Sequence, residues 1–319
     1  QWFINVNKPI AARDGKSLKE LMREPVADNR IAIVPDFFGK TYFHWIDNLR
    51  DWCISRQIWY GHRIPVWYRG NEVYCGIETP SGDDWIQDED SLDTWFSSGL
   101  WSFSTLGWPE QTEDLKTYHP TSTLVSAYEI LFPWMARMVL MTQYTLGTIP
   151  FNTILLTGIV RDSKGQKFSK SLGNGIDPID IAAKYGSDAG RMALIFGTAP
   201  GTDMKLSEDK IKGQKHFANK LWNITRFVLS QENVGELKQE LKDEFDALAA
   251  DITKDIEEFQ LHTAAEKLYQ YIWTCFADEI LEKSKQEPGY GTTLHYILER
   301  SLKLLHPFMP FVTEAIWEL

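Results

Sequence analysis

Cysteine is scarce in this chain: Cys53, Cys75 and Cys275 are the only three among 319 residues. An odd and widely spaced set excludes a disulfide framework and any Cys-x-x-Cys metal knuckle. It fits a reducing compartment, and a cytoplasmic location is expected. Long uncharged apolar runs are also missing. A membrane-spanning helix needs about 18 or more such residues, and the best stretch, Ile130 to Tyr144, carries Arg137 and follows Glu129. No membrane span is expected. Basic charge is in deficit, with 33 Lys and Arg against 44 Asp and Glu, a net of −11. That balance argues against broad, sequence-blind binding of polyanions and leaves room only for a local basic patch. The opening residues, Gln1-Trp2-Phe3-Ile4, show neither a Met nor the basic-then-apolar pattern of a secretion signal. The chain reads as the middle of a longer protein.

Glycine and proline run short after residue 205. Residues 1–205 hold 17 of 21 glycines and 11 of 14 prolines. Since these two residues punctuate short elements, the first part should mix strands, helices and loops, and the second should be long helices. Ser207 is placed to cap a helix carrying Ile211, Leu221, Ile224 and Val228 on one face. A second stripe runs from Leu261 through Leu268 and Ile272 to Ile280 and stops at Pro288-Gly289; a third runs from Leu294 to Leu305. Each stripe must be buried against another, so a bundle is predicted. Thirteen tryptophans are most simply core residues.

The first part is clearest over residues 121–196. A short strand around Thr123 to Val125, a helix from Ile130 to Tyr144 and a buried strand from Thr153 to Val160 make a parallel crossover unit. Asp177 then caps a helix with Pro178 at its first position, and Gly186-Ser187 ends it and starts the next. Ligands of open parallel sheets bind beyond the carboxyl ends of the strands, here the loops after Val125 and Val160.

Three tempting motifs fail. Gly15-Lys16-Ser17 has Ile10 where a phosphate-binding loop needs its first glycine, and Gly173-Asn174-Gly175 has Pro178 where a dinucleotide fingerprint needs its third. Asn223-Ile224-Thr225 fits a glycosylation pattern but falls inside a predicted helix. The run KFSKSLGN at residues 167–174 is different. Lys167 and Lys170, flanked by small hydroxyls in a loop loosened by Gly165, Gly173 and Gly175, can close on a polyphosphate. They would neutralise charge developing on a leaving pyrophosphate.

KFSKS closely resembles the KMSKS signature of class I aminoacyl-tRNA synthetases. DWCISRQ at residues 51–57, GHRIP at 61–65, LDTWFSSGLW at 92–101, KLWN at 220–223 and HPFMP at 306–310 are similar to blocks of the valine-specific branch of that family, in family order. The resemblance implies an α/β fold: half of a Rossmann-like, parallel-sheet catalytic domain followed by an α-helical, anticodon-binding-like bundle. It implies an exit segment from an editing insertion over residues 1–50, the C-terminal half of the catalytic domain over 51–205, and a truncated anticodon-binding domain over 206–319. ATP would be bound by Lys167, Phe168, Ser169, Lys170 and Ser171, by Gly158 at a strand end, and by Glu129 at the adenylate ribose. Lys167 and Lys170 would be catalytic, and Trp95 and Trp134 would wall the valine side-chain pocket as two facing rings.

The departures from the family pattern are specific. Glu129 stands where the family usually has Asp, Ala127 where it has Gly, and Phe168 where it has Met, a position that packs rather than coordinates. The insert between GHRIP and DTWF holds only Cys75, so no zinc is expected. His44 and His62 have no assignable carboxylate partner and read as structural histidines. No His-x-Gly-His block, the family's other ATP signature, occurs in the chain. The implied function is part of an ATP-dependent valine–tRNA ligase, with valine, ATP with Mg²⁺, and the valine tRNA as partners, the parent a monomer and this piece inactive alone. Alternatives are an isoleucyl-type or other class I synthetase, a small nucleotidyltransferase, which would lack the helical part, and a non-catalytic tRNA-binding α/β plus helical module.

Overall fold

A computed structural model of the chain describes residues 1–169 and 171–319. The fold is mixed α/β, in two compact units, Gln1–Leu156 and Thr157–Leu319. Composition changes near residue 205, whereas the units divide at 156. Residues 157–205, though rich in turns, include a helix, Ser187–Ile195, whose Met192 is buried in the helical core.

The first unit is centred on a three-stranded sheet in the order Ala32–Val34, Phe151–Thr157, Thr121–Ala127. Ile33 lies opposite Ile154 in parallel register. The Thr121 N–H donates to the Pro150 carbonyl, which sets the starts of the other two strands side by side. Residues 1–50 therefore supply a strand of the central sheet. They also share its core: Val6, Leu21, Met22, Tyr42 and Ile46 are buried in one cluster with Phe103, Leu131, Met135 and Ile154. The helix Leu18–Ala27 begins with a reciprocal capping box between Ser17 and Glu20.

Two elements differ from the sequence reading. The expected helix from Ile130 to Tyr144 begins as a tight turn, Tyr128–Ile130, widens into a π-helical segment, Leu131–Ala136, and becomes α-helical only over Arg137–Thr145. Pro133 brings no N–H to the first turn, and the Arg137 guanidinium donates to its carbonyl at 2.8 Å. The expected strand from Thr153 to Val160 is two strands. Phe151–Thr157 ends, and Val160–Arg161 pairs in parallel with Met204–Lys205. The Asp203 carboxylate takes the Ile159 N–H at 2.9 Å, and that bond draws the backbone out of the first sheet.

In the second unit the helices Glu208–Leu229, Gln239–Glu257, Leu261–Gln270 and Gly291–Leu305 bury one core containing Leu221, Phe245, Ile252, Leu268, Phe276 and Ile297. Ser207 caps the first through the Lys210 N–H, as expected. The Leu261 stripe continues as a π-helical stretch, Tyr271–Ile280. Gln239–Glu257 is a further helix of this core, whose apolar residues are interleaved with a dense run of charge that hides its stripe in the sequence. Among the described residues no helix is long and apolar enough to cross a membrane.

Candidate active site

In the first unit the aromatic candidates are placed by a buried carboxylate and a close helix contact. Asp93 is 3% exposed and precedes the short helix Thr94–Ser98 that carries Trp95. Its carboxylate accepts the Trp52 Nε1–H at 3.2 Å and lies 3.1 Å from the Arg56 guanidinium. Its own backbone N–H donates to the Ile54 carbonyl, so the start of the Trp95 helix is tied to residues 52–56 by side chain and backbone. Arg137 lies over the Trp52 ring at 4.3 Å, and burial lowers its pKa, with the Asp93 charge opposing. Gly99 ends the Trp95 helix where only glycine fits easily: an added Cβ would lie 3.0 Å from Met141 and 3.4 Å from the Arg137 carbonyl. The two helices therefore approach backbone to side chain, and Ser102 and Thr142 share a buried hydroxyl bond at 3.0 Å.

Trp134 sits in the π-helical segment, half-buried, and its indole N–H donates to the Ser98 carbonyl at 3.0 Å. Trp95, also half-buried, lies one turn earlier on that same short helix. The ring partnered with Trp134 is Trp101, with centroids 5.8 Å apart and planes tilted by 58°. In the sequence, the signal for Trp101 is its place in the same LDTWFSSGLW block. Glu129 is exposed in the tight turn that follows the strand Thr121–Ala127, at the carboxyl end where ligand contacts are expected. His62 is exposed, with Nδ1 3.4 Å from the Ser97 hydroxyl.

In the second unit Gly158 is pressed against its own chain. A Cβ there would lie 1.9 Å from the Thr202 carbonyl oxygen, so the residue's need for glycine is met without a ligand. Arg161 pairs with Asp203 at 2.6 Å and donates to the Gly165 carbonyl. The KFSKS segment is the return limb of a hairpin: Lys167 bridges Arg161, and the Asp162 N–H donates to the Gln166 carbonyl at 2.8 Å. Asp162 accepts the N–H groups of Lys164 and Gln166 and the side-chain amide of Asn174. The Asn174 bond, followed by the Gln166 N–H, holds its carboxyl below the usual range. Lys167 is exposed, and Phe168 packs against a small apolar cluster of Ala189, Ala193, Leu206 and Ile211. Ser169 and Ser171 are joined through their hydroxyls at 2.7 Å. Lys170 lies outside the described residues. Among the described residues no three His, Cys, Asp or Glu side chains stand together as a metal-ligand set.

Comparison with known proteins adds the family. A valine–tRNA ligase of Clostridium tetani (strain Massachusetts / E88) is 43% identical over 99% of this chain and 38% of its own length. That of Bacillus subtilis (strain 168) is 42% identical over 100% of this chain and 38% of its own length. The chain thus spans 38% of the length of these curated relatives. Among solved structures, Mycobacterium tuberculosis methionyl-tRNA synthetase bound by methionyl-adenylate superposes with a TM-score of 0.72 at 20% identity, over 95% of this chain and 61% of that one. That likeness is one of fold. Residues 238–319 match the anticodon-binding domain of tRNA ligase. Residues 1–84 and 78–207 match the model for tRNA synthetases class I (I, L, M and V), and the chain belongs to that family.

Proposed function

We propose that this chain is part of an ATP-dependent valine–tRNA ligase, which forms valyl-adenylate and then valyl-tRNA. The observation that carries the reading is the near-complete match of the chain to valine–tRNA ligases, at 42–43% identity over 99–100% of its length. In the first step a valine carboxylate oxygen attacks the α-phosphorus of ATP. The bond from that phosphorus to the bridging oxygen breaks, and pyrophosphate leaves. In the second a terminal ribose hydroxyl of the tRNA attacks the valyl carbonyl, loses its proton, and releases AMP. Neither step needs a covalent enzyme intermediate, so positioning and charge neutralisation are the enzyme's tools.

The residue roles follow from chemistry and place. Lys167 and Lys170 are assigned to the phosphates, where positive charge opposes the charge growing on pyrophosphate. Mg²⁺ enters with ATP as part of the substrate. Glu129, exposed at a strand's carboxyl end, suits a ribose hydroxyl that donates to it. Trp95 and Trp134, each half-buried with the second indole N–H already satisfied by Ser98, present apolar ring to a small branched side chain. Phe168 holds the loop through packing, and its contact with ATP is through backbone alone. Residues 238–319, with their match to an anticodon-binding domain, are assigned to the tRNA.

The test is valine-dependent exchange of pyrophosphate into ATP. The complete protein containing this chain should support exchange with valine and far less with isoleucine. Lys170→Ala should reduce it about 10²–10³-fold, as loss of a charge-stabilising group does elsewhere. The 319-residue chain, which has no His-x-Gly-His block, should show only background. An unchanged rate in Lys170→Ala, or equal rates with isoleucine, would overturn the assignment.

A further inference from the structure

Among the described residues, two side chains outside the lysines tie the KFSKS loop at several points. Asn174 uses its whole amide. Its carbonyl oxygen accepts the Ser169 N–H at 2.9 Å, and its nitrogen donates to the Asp162 carboxylate at 2.9 Å and to the Lys167 carbonyl at 3.2 Å. Only one orientation of the amide serves an N–H on one side and two acceptors on the other. The second oxygen of Asp162 is occupied by the N–H groups of Lys164 and Gln166. One pair of side chains thus ties the turn at 162–166, the backbone on both sides of Phe168, and the return at 174.

Backbone bonds add to it among the described residues: the Phe168 N–H reaches the Val160 carbonyl at 3.4 Å, and the Gly173 N–H the Ser169 carbonyl at 3.1 Å. Ser171, Leu172 and Gly173 are exposed, and Phe168 supplies an apolar anchor. Gly165 and Gly173 have φ of +83° and +60°, and nothing lies within 4 Å of where a Cβ on Gly173 would be. Left-handed glycines by themselves impose no single path on the chain. The path is imposed by the hydrogen bonds.

We propose that Asn174 and Asp162 form a clamp that sets the lysine loop for phosphate chemistry, and that both are positioning residues. The proposal rests on the function proposed above. The clamp fixes the backbone from which Lys167 projects and the Ser169 N–H beside it. Catalysis by charge neutralisation depends on where the cation sits when charge develops, and misplacement by about 1 Å can cost about 10²-fold in rate. Valine recognition is assigned to other residues, so the clamp should act on turnover rather than on valine binding.

Two measurements test it. In this chain, trypsin cleavage after Lys164 and Lys167, followed by mass spectrometry, reads the opening of the loop. Asn174→Ala should raise that rate at least about tenfold, since three hydrogen bonds are lost, with cleavage elsewhere and the thermal transition unchanged. Asn174→Asp should be as severe, because it sets two carboxylates face to face. The exchanged pair Asp162→Asn with Asn174→Asp should recover much of the protection. There the new Asn side-chain nitrogen donates to the new carboxylate, which still accepts the Ser169 N–H. If Asn174→Ala does not fold, the exchanged pair against Asn174→Asp alone decides the matter.

In the complete protein, Asn174→Ala should lower kcat for valine-dependent exchange about 10²-fold and leave the valine KM within about twofold. Unchanged cleavage rates would overturn the clamp. Faster cleavage with unchanged kcat would overturn its positioning role. If the unaltered complete protein shows no valine-dependent exchange, the proposed function fails, and the clamp then stands or falls on the cleavage rates alone.

Discussion

The two units keep their candidate residues in place by opposite means. In Gln1–Leu156 the Trp95 helix is anchored by Asp93, a carboxylate sealed in the interior against Trp52 and Arg56. In Thr157–Leu319 the lysine loop is held on the surface by the Asn174 and Asp162 side chains, with open space around Gly173 and Gly175. Burial makes the first arrangement stiff, because a low local dielectric makes any unpaired partner costly. Solvent makes the second easy to open, because water replaces each lost bond and the net value of a surface hydrogen bond is small. Under the proposed function, a pocket that selects by shape would benefit from the first, and a loop that admits and releases a polyphosphate from the second.

The comparison breaks most readily at Asp93. Asp93→Ala should destabilise the first unit by about 2–4 kcal/mol, the cost of leaving buried charge partners unpaired, reduced because Arg56 reaches solvent. A urea titration measures it, and Asp93→Asn should cost clearly less, since its carbonyl oxygen can replace the one carboxylate oxygen that both donors reach. A loss below about 0.5 kcal/mol for Asp93→Ala, the range of an ordinary surface change, would erase the contrast with the clamp.

Gly158 sharpens it from the other side, because the stem of the lysine hairpin is packed even though its tip is not. A Cβ at Gly158 would lie 1.9 Å from the Thr202 carbonyl oxygen and 2.5 Å from the Asp203 N. Gly158→Ala should therefore cost about 1–3 kcal/mol by forcing backbone apart. Urea titration would read that cost, and trypsin cleavage would read any loosening of the hairpin. A neutral substitution would mean that the stem yields as freely as the tip.

The smallest effect contrasts two cysteines. Burial and nearby acidic charge push the Cys275 thiol up to about 11, whereas Cys75 is exposed on a strand at the edge of its sheet. At pH 8 only about one thousandth of Cys275 is thiolate, the reactive form. Its labelling by iodoacetamide should rise as pH climbs toward that value. Cys75 should be labelled first at pH 8, as peptide mass spectrometry would show; the reverse order would mean that the helical unit opens more easily than its packing suggests.

Local pattern made much of this legible. Ser207 and Asp177 were readable as caps because capping is decided within three residues. The helical stripes of residues 206–319 were readable because apolar period alone demands burial. Gln239–Glu257 carried the same kind of stripe in Leu241, Phe245, Leu248, Ile252 and Ile256, masked by the acidic residues between them. The family resemblance named Lys167, Lys170 and Trp95 within its blocks, and Glu129 and Trp134 by position between them. It could not name Trp101 as the ring beside Trp134, nor Asn174 as the partner of Asp162. Spacing along a loop does not say which side chains fold back on one another.

By itself, the sequence determined the membership in a synthetase family, the division into a turn-rich and a helical part, and the presence of a cationic loop. Those properties reside in residue type, order and short-range period. The break at Gly158, the strand given by residues 32–34, and the enclosure of Asp93 were decided only when the chain closed on itself. Each depends on a partner far away in the chain: the Asp203 carboxylate for the Ile159 N–H, Ile154 for Ile33, Trp52 for Asp93. Contacts across such separations are set by the packing of the whole core and leave no periodic trace in the residues that make them.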